Sequence, residues 1–549
     1  MLRRAACFSV ALGVLVALGS CANRSSDANL AYEDDRASRM FAAGFQDVAD
    51  IYIEDVSVAS LALAGIENLS SIDPSIEILR RGKQITVSVN GREAGAFEAA
   101  AEQDADGWAD ITAATIGTGR RHSVQLARSG AEDVYEAVFD GVTAELDSFS
   151  RYAGREEARE NRASRDGFGG IGVRISLIDE GVKVLSVMEN TPAENAGLLD
   201  GDVIVQIDGT PVKGLTQREV VRRLRGPLRS SVTLTVDRKG ERAPQVISVT
   251  RAHIVPQTVK YNAEGNIGYI RVSGFNQSTA RTLRKKVRQA QEELGVRLEG
   301  FILDLRNNPG GLLDQSVSVS DLFLANGRIV STHGRHPDSH QYFDAKSGTL
   351  TDEHPVVVLI NGHSASASEI VAAALQDAGR AVVVGSTSFG KGTVQTVLRL
   401  PNEGELTLTW ARFHAPTGYG LNGRGVVPDI CTSEGFETPD EVLKGLRSGL
   451  FPIDKAIRNR DIAPNDTAAI DALREHCPLF DGDNELDKEV AKRLLADPVL
   501  YARALNGVPD TARRGADQVS RLHSLPTAAL AAPLPGQATG SAFSPGAHP

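Results

Sequence analysis

Three short stretches carry residue types suited to chemistry at an acyl group. Asn361-Gly-His-Ser-Ala-Ser-Ala-Ser-Glu-Ile370 places serine hydroxyls between an apolar run and a helical one. A nucleophile at such a junction meets the positive end of a helix dipole, which favours a developing oxyanion. Gly385-Ser-Thr-Ser-Phe-Gly-Lys-Gly-Thr393 puts a lysine on a glycine loop. Leu303-Asp-Leu-Arg-Asn-Asn-Pro-Gly-Gly-Leu312 ends a strand in an open glycine turn, where backbone N–H groups approach a carbonyl unhindered by side chains.

Each stretch also has a plainer account. The lysine loop matches G-x-x-x-x-G-K, but a phosphate-binding loop needs Ser or Thr next, and Gly392 stands there. Lys391 can instead be a buried, neutral base if a nucleophile lies near it in space. Ser364 and Ser366 compete for that part. Gly362-His-Ser364 approaches the nucleophile elbow, yet residue 366 is serine where the elbow requires glycine. Ser366-x-x-Glu369 fits a helix capping box, worth about 1 kcal/mol without any catalysis. The glycine turn, taken alone, is a tight strand-to-helix connection.

The elements that must position these residues follow from periodicity. From 268 to 428 apolar strands at 268–272, 301–305, 356–360 and 381–384 alternate with helical runs at 278–294, after Gly311 and at 365–378, the rhythm of an α/β domain. Upstream, short strands at 182–187, 202–207 and 231–236, with the stretches 193–197 and 216–224 between them, the second with a basic face opposite Val220, Val221 and Leu224, form a mostly β module of roughly 90 residues. Residues 40–154 read as helical, broken by a strand at 85–89 that ends in the hairpin signal Asn90-Gly91. Beyond Pro428 the chain is helical and charged to about Leu505, then rich in Ala, Pro and Gly.

At 549 residues the chain exceeds a single core. Its formal net charge of −11 excludes a general nucleic-acid binder, which needs a broad excess of Lys and Arg. Arg3 and Arg4 precede an apolar run from Phe8 to Leu18, a secretory signal too short to span a membrane. Leu18-Gly19-Ser20-Cys21 resembles a bacterial lipobox, which makes Cys21 the expected lipidated residue; plain cleavage near Ala22 is the alternative. Cys431 and Cys477 then remain, either as one disulfide in an oxidising compartment or as two buried thiols.

In chain order, the entry Phe168-Gly-Gly-Ile-Gly-Val173, the β module, DLRNNPGG, SASASEI and GKGTVQ resemble the C-terminal processing peptidases, or tail-specific proteases, over residues 160–430. The resemblance implies a crotonase-like α/β protease core with an inserted, mostly β PDZ domain and helical N- and C-terminal regions, a multidomain α/β protein. It assigns the nucleophile to Ser366, the middle serine of SASAS, and the general base to Lys391. Gln395 becomes the neutral group that orients the amine, one helical turn's spacing beyond the lysine, and the N–H groups of Ala367 and Gly311, rather than Gly310, become the oxyanion hole. His363 and His414 have no part in this serine–lysine chemistry, which needs a desolvated lysine without a carboxylate partner.

Gly170-Ile171-Gly172-Val173 resembles the carboxylate-binding loop of PDZ domains, with a groove for apolar last residues beside Val220, Val221 and Leu224. The implied division is 1–21 signal peptide with lipobox, 22–39 tether, 40–166 N-terminal α+β region, 167–254 PDZ domain, 255–430 protease core, 431–505 helical region and 506–549 disordered tail. The expected protein is an exported, periplasmic, lipid-anchored serine endopeptidase that selects free apolar C-termini. It needs no metal, nucleotide or cofactor, and an adaptor or activator and self-assembly are its further expected partners. The rival is a non-catalytic PDZ adaptor that binds tails without cutting them.

Overall fold

Continuous runs such as Val356–Ile360 and Ala381–Gly385 have no polar face to offer solvent, so they fold into the centre of a sheet covered on both sides. The computed structural model describes residues 22–505 apart from 347, 352, 353, 434, 454 and 483. Its central sheet runs in the order Val259–Glu264, Ile267–Val272, Gly300–Asp304, Val356–Ile360, Ala381–Gly385 and Ile430–Cys431; the first pair is antiparallel and the rest are parallel. Alternate residues face opposite layers. Leu303, Val358 and Val383 pack with the helices Thr279–Leu294 and Ala367–Asp377, whereas Ile302, Val357 and Val382 pack with the C-terminal helices Pro439–Ser448 and Glu485–Ala496.

A second, antiparallel sheet, Gln341–Asp344, Arg328–His333, Glu405–His414 and Thr393–Arg399, carries the chain beyond the lysine loop. Arg151–Ala153 pairs with Glu405–His414, so a segment that precedes the β module joins a strand that follows it. Leu400, Leu406 and Leu408 complete the core of the N-terminal region, whose hairpin Gln84–Val89 and Arg92–Glu98 gains a third strand, Ile76–Arg81. The β module holds the strands Gln245–Thr250, Ser231–Asp237, Val203–Ile207, Gly181–Val187 and Val173–Ile178 in that spatial order around its own core. Its two ends are zipped together by pairing of Phe168–Gly170 with Ala252–Ile254.

The helix Arg155–Asp166 links these bodies. Arg162 and Arg165 both pair with the buried Glu405, at 3.0 and 2.8 Å, and Arg155 Nε donates to the Asn402 carbonyl at 2.9 Å.

Residues 22–39, expected as a tether, form the first turns of the helix Ala22–Ile51. Their alanine, acidic and arginine content is a good helix composition, and the same continuous helix buries Met40, Phe41, Phe45 and Val48 further along. The leader 1–21 with Cys21, and the tail 506–549, lie outside the described residues. Among the described residues no helix is long and apolar enough to cross a membrane.

Candidate active site

Which serine hydroxyl is free to react decides the chemistry. Ser364 and Ser368 are fully buried. Ser364 Oγ donates to the Leu305 carbonyl at 2.9 Å and Ser368 Oγ to the Asn308 carbonyl at 2.8 Å. Ser366, between them, is half-buried and heads the helix Ala367–Asp377 with φ 56° and ψ −114°. That conformation costs a non-glycine residue about 1–3 kcal/mol and persists only where the surroundings over-determine it.

Glu369 supplies the constraint. Its fully buried carboxylate accepts hydrogen bonds from Ser366 N at 2.7 Å, Gly390 N at 2.7 Å, Lys391 N at 2.9 Å and Ser388 Oγ at 2.5 Å. The acidic residue of the SASASE stretch therefore caps its own helix end and also gathers the lysine loop. Burial pushes its carboxyl above the ordinary range against the pull of those four donors. Sequence periodicity contained the first of these bonds, as a capping box, but not the long-range three.

Lys391 is half-buried, and burial draws its pKa below the ordinary lysine value, with Arg151 adding to the shift and Asp147 and Glu369 opposing it. It makes no ion pair among the described residues, and its Nζ lies 4.8 Å from the centre of the Phe149 ring. Asp147, Phe149 and Arg151 come from the N-terminal region, and no local spacing in the sequence links them to residue 391. Among the described residues the Ser366 and Lys391 side chains make no hydrogen bond to each other. The segment after Lys391 enters the strand Thr393–Arg399 instead of a helix, so the loop lacks the second half of a phosphate cradle as well as the magnesium ligand.

The glycine turn lies against the serine. A Cβ on Gly310 would stand 2.8 Å from Ser366 Cβ and 3.0 Å from Ala367 N, and one on Gly311 would stand 2.1 Å from the Phe275 carbonyl oxygen. Gly310 N–H donates to Asn308 Oδ1 at 2.9 Å, whereas the N–H groups of Gly311 and Ala367 have no acceptor among the described residues. Asp304, Arg306 and Asn308 fix the turn: Asp304 accepts from Arg306 Nη2 at 2.7 Å and from the Tyr269 hydroxyl at 2.5 Å, and Asn308 Nδ2 donates to the Val272 carbonyl at 2.8 Å.

Gln395 makes no hydrogen bond to Lys391 among the described residues. It sits on the strand Thr393–Arg399, so its four-residue spacing from the lysine is not a helical turn, and its Nε2 donates to Thr393 Oγ1 at 2.8 Å and Thr409 Oγ1 at 3.2 Å. His363 is exposed, 4.0 Å from Asp481. His414 packs against His333, with ring centres 5.1 Å apart. Cys431 and Cys477 form a disulfide.

In the β module, the N–H groups of Ile171 and Gly172 have no acceptor among the described residues, and Val173–Ile178 is the edge strand of its sheet. Gly172 has φ 88°, and a Cβ there would stand 2.4 Å from Thr191 Cβ, so the loop admits only glycine. A Cβ on Gly170 would meet the Phe168 ring at 2.7 Å. Val220 and Leu224 turn into the module core beside Val232 and Leu234, which leaves Val221 as the half-buried member of the expected groove trio.

Comparison with known proteins gives two family matches within the chain: peptidase family S41 over residues 266–432 and the PDZ domain over residues 183–238. The carboxy-terminal-processing protease of Bartonella bacilliformis is 41% identical over 363 residues, spanning 64% of this chain and 84% of that protein. Among solved structures, a photosystem II D1 C-terminal processing protease is 26% identical, covering 67% of this chain and 92% of that one, with a TM-score of 0.34.

Proposed function

The chain belongs to peptidase family S41, with a PDZ domain, and is by family a carboxy-terminal-processing serine protease; from this premise we propose that Ser366 is its nucleophile and Lys391 its general base. The observation that carries the assignment is Glu369, whose one carboxylate binds the backbone N–H of both residues and so fixes the serine turn and the lysine loop as a unit.

Neutral Lys391 takes the Ser366 proton as Oγ bonds to the scissile carbonyl carbon. The carbonyl oxygen becomes an oxyanion between the N–H groups of Gly311 and Ala367. The intermediate collapses, the C–N bond breaks, and the leaving amine takes the proton from the Lys391 ammonium. Water, deprotonated by the same lysine, then attacks the ester and returns Ser366, releasing the new C-terminal acid. Gln395 acts at one remove, by fixing Thr393 and Thr409 beneath the loop.

The PDZ domain selects the substrate by its tail. A peptide adds to the edge strand Val173–Ile178, its terminal carboxylate on the N–H groups of Ile171 and Gly172, with an apolar last residue beside Val221. Export and a lipid anchor at Cys21 belong to the same reading, supported by the Cys431–Cys477 disulfide, which suits an oxidising compartment. So does a crotonase-like core with the PDZ domain inserted ahead of it, supported by the pairing of Arg151–Ala153 with Glu405–His414.

The test is cleavage of an unstructured protein ending in apolar residues, comparing wild type with Ser366→Ala and Lys391→Ala at equal folded concentration. Wild type cuts, both variants do not, and amidation of the substrate's C-terminus slows cutting. If all three only bind the tail, the protein is an adaptor and the catalytic assignment fails.

A further inference from the structure

Outside the proposed site, histidines gather at one sheet end. His333 closes the strand Arg328–His333 and His340 precedes the strand Gln341–Asp344, so the two flank a hairpin turn. Their Nδ1 atoms are 3.4 Å apart. Two nitrogens at tetrahedral angles on one zinc ion, each about 2.0–2.1 Å from it, stand about 3.4 Å from each other.

The surroundings favour the ligand tautomer. His340 Nε2 lies 3.0 Å from the Gly334 carbonyl oxygen, which can only accept, so this nitrogen carries the proton and Nδ1 keeps its lone pair. A ring N–H held by a backbone carbonyl is the usual outer shell of a metal-bound histidine, fixing its orientation and raising its basicity. The turn is rigid: Thr332 Oγ1 donates to the Ser339 carbonyl at 2.6 Å and Ser339 Oγ to the His336 carbonyl at 2.6 Å. His340 is exposed, which leaves the pair open to solvent ions.

We propose that His333 and His340 form a two-histidine chelate, through their Nδ1 atoms, for a divalent transition-metal ion of the zinc, copper and nickel class, with water completing the coordination. Imidazole suits these ions over calcium or magnesium. Among the described residues no three His, Cys, Asp or Glu side chains converge as a metal cage, so the protein supplies two ligands and not a closed structural site. His333 pairs across the sheet with Arg412, and Arg412 with Thr393, which places the ion two strands from the segment that follows Lys391. His333 also lines a cavity of about 390 Å³ that reaches Gly392. An ion here sits beside the lysine loop and takes no part in bond cleavage.

The test is calorimetric titration of Zn²⁺ into the full chain, free of any histidine tag and stripped of metal beforehand. One ion binds wild type, His333→Ala and His340→Ala each weaken binding about ten-fold or more, and His122→Ala, an exposed histidine elsewhere, binds as wild type does. No binding to wild type, or wild-type affinity in either pair variant, overturns the chelate and leaves a hydrogen-bonded pair. Electron paramagnetic resonance of Cu²⁺ bound to wild type gives a readout that needs no variant to fold: coupling to two imidazole nitrogens is expected, and coupling to fewer refutes the proposal.

Discussion

The face of the Phe149 ring lies beneath Lys391 Nζ, at 4.8 Å from its centre, although the two residues belong to different regions of the chain. Two effects of the ring compete. Its quadrupole attracts the ammonium form, while its bulk excludes the water that would solvate that form. Burial is the larger influence on Lys391, and the net direction is downward.

With Lys391 as the proposed base, the pH–rate profile of cleavage rises with an apparent pKa below the ordinary lysine value of 10.5, since only a deprotonated amine can accept a proton. Phe149→Ala admits water and moves the midpoint of that rise to higher pH, lowering kcat at neutral pH. A midpoint that moves to lower pH would mean that attraction by the ring outweighs exclusion of water.

Lys391→Met should inactivate the protein and stabilise it. A lysine whose folded pKa is depressed contributes full stability above its unfolded pKa and loses it as pH falls through the folded one, so at neutral pH the charged side chain costs folding energy. Turnover drops about 10²–10⁴-fold, the usual worth of a general base. Thermal melts at pH 7 read the stability, and a lower melting temperature for the variant contradicts the buried-amine account.

Glu369→Gln puts an NH₂ group among four donors that need acceptors. At a fully buried site the loss is about 2–4 kcal/mol. Melting temperature and turnover should fall together, because the Ser366 turn and the Lys391 loop lose the same anchor. A variant with wild-type stability and activity would show that these bonds do not hold the site.

Glu405→Ala leaves Arg162 and Arg165 facing a vacated pocket and costs about 1–3 kcal/mol, with the lower part of the range reflecting partial exposure of the arginines. Burial raises the Glu405 carboxyl, but Arg165 and then Arg162 bring it below its ordinary value. Its contribution is thus present above the unfolded glutamate pKa and is lost as pH falls through the folded one. Acid titration of wild type and variant should converge there.

Replacing Cys431 and Cys477 by serine opens a loop of sequence separation 46 and lowers stability by about 4 kcal/mol on the chain-entropy account. Denaturant unfolding of wild type with and without reductant should reproduce the difference, and the double variant should be insensitive to reductant.

Much of this was legible in the sequence wherever the signal was local. The core strands appear in continuous β-branched runs, the helix Thr279–Leu294 in its apolar stripe, and the PDZ strands in short runs punctuated by turns. Ser366 and Lys391 were legible as residue types at a strand-to-helix junction and on a glycine loop, though the family resemblance chose between Ser364 and Ser366; the structure adds that Ser364 is already committed to the Leu305 carbonyl. What escaped was long-range or depended on three-dimensional direction. Phe149 carries no local mark of its partner. Gln395 kept its spacing, but four residues along a strand span about 13 Å where four along a helix rise about 6 Å, so the interval is not that of a helical turn. Val220 and Leu224 were rightly read as the apolar side of a helix, which the fold spends on the module's interior.

The pairing of Phe168–Gly170 with Ala252–Ile254 closes the PDZ domain on a single stem. A domain that enters and leaves through one pair of adjacent strands can be exchanged between proteins as a cassette, since a replacement has only to match the stem. Evolution can thereby change what this module contacts while the bond-breaking machinery is inherited unchanged.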